Sequence, residues 1–199
     1  MASENQILEG WLIVIARDGW RGGRIDAVAV AAGASAAEVA VVLPDRWTAL
    51  RAYGRQLDLA ALAEAGSDRD ASTRDRLFAL LMARFDAAEE HKAAARELAD
   101  AARRDPGLAA FFLTTLPVSV ARIAAAAGVD TGGWLGPLRV QLLTVLVAQV
   151  SRTWLDDEDT DLAATMKSLD AALARAERWA QRSTGSLAAT GSADDLRAV

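Results

Sequence analysis

The residues with the most chemical potential are acids: Asp156, Asp157, Glu158, Asp159 and Asp161 stand almost side by side. Such a run suggests a divalent cation. A calcium loop fixes its spacing, however, and with Asp157, Asp159 and Asp161 as its first three ligands the required glycine falls on Leu162 and the terminal glutamate on Ser168. The run reads instead as an interhelical turn, its acids facing the positive end of the following helix. His91 is the only histidine, and it sits among Glu89, Glu90 and Lys92 as a solvated surface residue would. There is no cysteine, so thiolate nucleophiles, disulfides and zinc–thiolate sites are excluded. No second histidine completes a triad, and no carboxylates pair within an apolar pocket. The glycines of residues 19–23 follow no strand and match no phosphate loop. The reading is a non-enzyme with no metal and no cofactor.

The remaining candidates lie on helices. The chain of 199 residues is 52% hydrophobic, with only four prolines, and alanine supplies much of that fraction. Asn5 to Arg17 carries a helical apolar side ending at Asp18-Gly19. Ile25 to Leu43 has the layout of a helix-turn-helix: Ala29 where two helices touch, Gly33 in the turn, Val39 as the anchor beneath the second helix. Pro44-Asp45 opens a fourth helix, and residues 66–72 form a polar break. Phe78, Leu81, Met82 and Phe85 then make one stripe. Asp105-Pro106 starts another helix that Pro117 either kinks or splits. Trp134 to Trp154 is apolar nearly all round, as a helix buried on two sides would be. Asp159 or Thr160 caps the last helix, whose seam runs through Leu162, Met166, Leu169, Leu173, Ala176 and Trp179. The segment after Ser183 has too little apolar bulk to fold alone. The expected organisation is a head over 1–66, a body over 73–182 and a disordered tail over 183–199.

Charge sets the helix-turn-helix in tension with its shape. The net charge is −5. Residues 1–55 hold six arginines against six acids, and residues 26–45 contain no lysine or arginine. A surface meeting phosphate needs local positive charge, and reading bases needs side chains that hydrogen-bond their edges. If DNA is contacted, the residues are Arg24, Ser35, Ala36, Ala37, Ala40 and Arg46. That use of the head is the alternative reading. Glu4 and Glu9 lead the first apolar run, which argues against a secretory signal, and the closest approach to a membrane span, Leu108 to Ala121, carries Pro117 and is closed by Arg122. A cytoplasmic protein is expected.

Gly19-Trp20, Ala29, Gly33, Ser35 and the Leu43-Pro44-Asp45-Arg46 turn resemble the TetR fold. The resemblance implies an all-α protein: a three-helix head with a helix-turn-helix, a linker helix, and a body that dimerises through its last two helices. TetR regulators usually place a tyrosine where Ala40 stands, a basic or polar residue near Val41, and a phosphate-contacting lysine near Arg46. Asp157, Asp161, Thr165, Leu169 and Asp170, following Trp154, are in turn similar to a pattern of the ubiquinone (coenzyme Q) biosynthesis accessory proteins. Those are TetR-fold lipid-binding proteins without DNA binding, and Glu158, Asp159 and Thr160 replace their Ser-Ser-Pro.

This second resemblance implies an isoprenoid or quinone-like apolar ligand, delivery to a quinone-biosynthesis hydroxylase, and peripheral membrane contact. The ligand would lie among Phe78, Leu81, Phe85, Phe111, Phe112, Leu116, Trp134, Leu142 and Val145. A homodimer would meet through Leu146, Val150, Leu162, Met166, Leu169 and Leu173. Trp154 and Asp157 would form the contact for a partner protein. The favoured reading is the lipid-binding accessory role; the alternative is a TetR-type regulator, binding DNA as a homodimer and a small apolar effector.

Overall fold

The computed structural model describes residues 1–66 and 70–194, with side chains described as far as Arg178. Its described residues form α-helices and connecting turns, without strands. The head comprises α1 (Glu4–Asp18), α2 (Ile25–Ala32), α3 (Ala36–Val42) and the linker helix α4 (Arg46–Ala63). The body comprises α5 (Thr73–Glu89), α6 (Lys92–Ala102), α7 (Pro106–Ala126), α8 (Gly136–Asp156) and α9 (Ala163–Asp194).

The helix starts follow local chemistry. Ser3, Asp45, Ser72 and Asp105 each accept backbone N–H bonds from the first turns of α1, α4, α5 and α7. Ser35 and Glu38 form a reciprocal capping box on α3. Pro106 occupies the first turn of α7, where its missing N–H costs nothing. Pro117 leaves α7 continuous. It removes the amide that would bond the Leu113 carbonyl, and Leu113 is 75% exposed, so water can satisfy that oxygen. α7 is long and apolar enough to cross a bilayer, but here it packs on α4, α5, α6 and α8.

Two expected boundaries move. The cap of α9 is neither Asp159 nor Thr160. Asp157 reaches eight residues forward to accept from both the backbone N–H and the hydroxyl of Thr165, each at 2.7 Å. The intervening chain turns through Leu162, whose φ of 53° is left-handed. α9 also passes Ser183 without ending and reaches Asp194, through an alanine-rich stretch without proline. Residues 195–199 of the expected tail lie outside the described residues.

The core is continuous from head to body. Ile7, Trp11, Val14, Ile15, Val28 and Val39 close the head; Leu80, Leu81, Leu108, Ile123, Val147, Val150 and Leu169 fill the body. Asp58 of α4 is buried between them. It accepts from Ser119 and from Arg122 (3.0 Å) on α7 and stands 3.5 Å from Arg84 on α5. An ion network shared by three helices fixes α4 against the body, since breaking one partner strands buried charge. Burial, opposed by Asp58, holds the Arg84 guanidinium below its usual range.

Candidate functional site

The helix-turn-helix is built from close backbone approach. α1 crosses α2 at Gly10, where a Cβ would lie 2.8 Å from the Ala32 Cβ. Gly33 ends α2 at φ 59°, the left-handed conformation that glycine adopts without penalty. The side chain of Gln6 donates to the Ala32 carbonyl at 2.7 Å, and the indole of Trp11 donates to the Leu43 carbonyl at 3.0 Å, binding both ends of the motif to α1. α2 and α3 meet at 103°.

That frame buries Val39 completely, packs Val42 partly against the core and turns Ala36, Ala37, Ala40 and Val41 outward. Ala36, Ala37 and Ala40 are exposed, Val41 is 81% exposed, and Val30 of α2 is 84% exposed. The outward face consists of methyl groups. Glu38 is held by its own cap: bonds from Ser35, backbone first, and from the Ala2 amide push its carboxyl down to about 2.

Each head arginine has an internal partner. Arg17 pairs with Asp18 at 2.7 Å, Arg55 with Glu4 at 2.9 Å, Arg21 with Asp105 at 3.5 Å and Arg24 with Asp26 at 3.8 Å. Arg46 lies 4.6 Å from the Trp20 ring and donates to the Trp20 carbonyl; Arg51 lies 5.6 Å from the Phe111 ring. Of the residues named for DNA contact, Arg24, Ser35, Ala36, Ala37 and Ala40 are exposed and Arg46 is half-buried. The first five lie on or beside α2 and α3.

The residues named for an apolar ligand do not share a cavity. Leu81 and Phe85 are core, with Phe85 stacked 5.8 Å from Trp154. Phe78, Phe111, Phe112 and Leu116 are half-buried on α5 and α7, and Phe111 packs 5.5 Å from Trp47 of the linker helix. Trp134, Leu142 and Val145 are 82%, 41% and 47% exposed. They line an open groove of about 780 Å³ on α5, α8 and α9, together with Leu138 and the buried Leu77 and Leu173. Helical spacing shows which residues share a face but not which neighbour that face meets.

The same limit corrects the interface residues. Leu146, Val150, Leu162, Leu169 and Leu173 are buried within one chain, and only Met166 of that set is exposed. The seam of α9 packs on α8 of its own chain. An all-round apolar helix has a second face, and on α8 that outer face carries Leu138, Leu142 and Val145.

Trp154 and Asp157 are not a surface patch. Trp154 is buried, donates to Glu89 at 2.8 Å and lies 5.3 Å from the Lys92 ammonium. Asp157 is buried as the distant cap of α9, and the Thr165 hydroxyl and amide hold its carboxyl below the usual range. Sequence placed both beside exposed acids; the turn folds them inward.

His91 is likewise buried. Its Nε2 stands 3.1 Å from Glu9 of α1, and its ring meets Tyr53 of α4 edge-on at 5.6 Å. Burial, with Glu9 adding and Arg84 opposing, raises the Tyr53 hydroxyl well above its usual range. The surface reading of His91 is thus corrected, and Asp58, Arg84 and Ser119 escaped the sequence reading because their partners lie on separate helices, 61 residues apart for Ser119 and Asp58. Among the described residues no three potential ligands cluster as a metal site.

No known family's sequence pattern matches this chain, and no curated protein matches it either. Solved structures do. A TetR transcriptional regulator from Nitrosomonas europaea superposes with a TM-score of 0.73 at 18% identity, covering 87% of this chain and 97% of that one. A transcriptional regulator from Rhodococcus sp. RHA1 gives 0.61 at 21% identity, covering 88% and 96%. A TetR-like transcriptional regulator from the same organism gives 0.57 at 19% identity, covering 86% and 93%. Over nearly the whole length of each, this chain has the all-α TetR-like fold.

Proposed function

We propose that this protein is a TetR-type transcriptional regulator. It forms a homodimer, meets DNA with its helix-turn-helix heads, and takes a small apolar effector in its body. The observation that carries the reading is the outward presentation of α3 from a frame set at 103° to α2. Its alanines let the helix backbone come close to a groove floor, and their methyls suit contact with thymine methyls. The arginine pairs do not forbid phosphate contact. Arg17, Arg21 and Arg24 are 61%, 77% and 80% exposed, and surface ion pairs of this kind are worth only about 0–1 kcal/mol. A phosphate can replace such a carboxylate. Binding of this kind draws its affinity from the backbone and discriminates bases weakly.

The outer face of α8 supplies the dimer contact. The protein acts in the cytoplasm. Selection from fragmented genomic DNA, followed by gel shift of the enriched fragments, tests the reading. A reproducible enriched segment shifted at physiological salt supports it. Recovery no better than random fragments refutes it.

A second reading has its own support. The open apolar groove of about 780 Å³ would fit an isoprenoid chain, with each buried methylene contributing about 0.8 kcal/mol. In that reading the protein is a lipid-binding accessory of ubiquinone biosynthesis, working with a hydroxylase at the membrane surface. Burial of Trp154 and Asp157 means that such a partner would need another surface. Native mass spectrometry of protein from a quinone-producing host separates the two: copurified isoprenoid quinone favours the accessory role, an empty dimer the regulator.

A further inference from the structure

The groove on α5, α8 and α9 carries a charge that a neutral ligand leaves unused. Its lining is otherwise apolar, with Trp134, Leu138, Leu142 and Val145 open to solvent. Among the described residues three arginines also line it, Arg74, Arg139 and Arg175, against one acid, Glu177, in a chain of net charge −5. Arg74 is held by Asp170 at 2.6 Å and Arg139 by Asp130 at 2.8 Å. Arg175 is exposed, and its guanidinium makes no ion pair or hydrogen bond with any described residue. Its place along the groove follows from the antiparallel register of α8 and α9. The hydroxyls of Thr153 and Ser168 meet at 3.3 Å, which sets Arg175 opposite Leu146, next to Gln149 and at the far end from Trp134. From Leu146 back to Leu138, α8 offers roughly 12 Å of apolar wall at its rise of about 1.5 Å per residue.

We propose that the groove binds a long-chain aliphatic carboxylate, with Arg175 pairing its anionic end, and that the bound chain displaces the second protomer from α8. One unpaired cation at the end of a long apolar surface fits a ligand with one negative end. A neutral quinone leaves Arg175 without a partner, and a polyanion finds too few free cations. The carboxylate lies at Arg175, and the chain runs past Val145, Leu142 and Leu138 toward Trp134. Those three aliphatic residues are also the exposed outer face of α8, so chain and partner protomer compete for the same side chains. The competition rests on the α8 dimer contact of the regulator reading. A ligand that binds only the monomer draws the equilibrium toward it, and a monomer brings one head to DNA instead of two.

Dodecanoate, kept below its micelle-forming concentration, and the uncharged dodecanol test this in the full-length protein. Calorimetric titration reads binding, and sedimentation velocity reads the oligomer at one protein concentration. Dodecanoate should bind the parent, and Arg175→Ala should weaken that binding about threefold to fivefold, the range of an exposed ion pair, while leaving dodecanol binding unchanged. Arg175 is exposed and unpaired, so the variant should keep the parent's helical circular dichroism. Saturating dodecanoate should convert the parent dimer to monomer. No binding of dodecanoate, equal affinity in Arg175→Ala and the parent, or a dimer that stays intact with dodecanoate bound overturns the proposal. A parent that is monomeric before any ligand is added refutes the α8 dimer contact itself, and the competition with it.

Discussion

Two exposed apolar faces distinguish the head from the body, and they differ in bulk. The outer face of α3 carries Ala36, Ala37, Ala40 and Val41; that of α8 carries Leu138, Leu142 and Val145, with Trp134 just before the helix. The first is narrow and offers little area per residue. The second is concave and continuous with the groove to α9. Water is excluded in proportion to apolar area, so the α8 face is suited to stable association. The α3 face suits close approach to a surface whose attraction comes from elsewhere. A hydrophobic count treats both faces alike; only their curvature and side-chain volume separate them.

The largest expected effect breaks that comparison at the body. Leu142→Arg places charge on the outer face of α8. In a twofold dimer each substitution acts twice, and since Leu142 is 41% exposed, losing about 1 kcal/mol of burial per leucine weakens association by more than about tenfold, before the cost of burying the guanidinium. Sedimentation equilibrium checks it, and the monomer should retain its helical circular dichroism.

Trp154→Ala acts inside the chain instead. It removes packing on Phe85 and the bond to Glu89, and should cost about 3–5 kcal/mol of folding stability in urea titrations. A change near zero would restore Trp154 to the surface.

Thr165→Val, at a fully buried position, removes the hydroxyl bond to the Asp157 cap while leaving the backbone one, and should cost about 1–2 kcal/mol. The pH dependence sharpens this. The Asp157 carboxyl is depressed in the folded protein, so its stabilisation is present above the ordinary carboxylate range and lost as pH falls through the depressed value. Asp157→Asn should flatten the acid limb of a stability–pH profile.

Ser35→Ala is the smallest, about 1 kcal/mol from opening the α3 capping box, visible as faster amide exchange in α3.

Local rules made much of the fold legible. Ser35, Asp45 and Asp105-Pro106 specify helix starts within a few residues, and Gly33 specifies the turn, because each acts through neighbours in the chain. The candidate sites were less legible because they depend on which face meets which neighbour. Val150 and Leu142 are equally apolar in sequence, yet one is core and the other groove. Asp157 and Asp161 stand in the same acidic run, yet only Asp157 turns inward, to a threonine eight residues on. His91 among charged neighbours has the pattern of a surface residue, and tertiary contact with Glu9 and Tyr53 overrides it.

In the proposed regulator the heads bind DNA through exchangeable arginines despite a methyl-faced α3. The direct measurement is affinity for an enriched fragment and for a random duplex across salt concentrations from 50 to 200 mM. If Arg17, Arg21 and Arg24 of both protomers each neutralise a phosphate, log K should fall against log salt with a slope of about −5 for both duplexes, the enriched one binding modestly tighter. No measurable binding to either duplex at the lowest salt, or a slope near zero, would mean that these arginines do not engage the phosphate backbone.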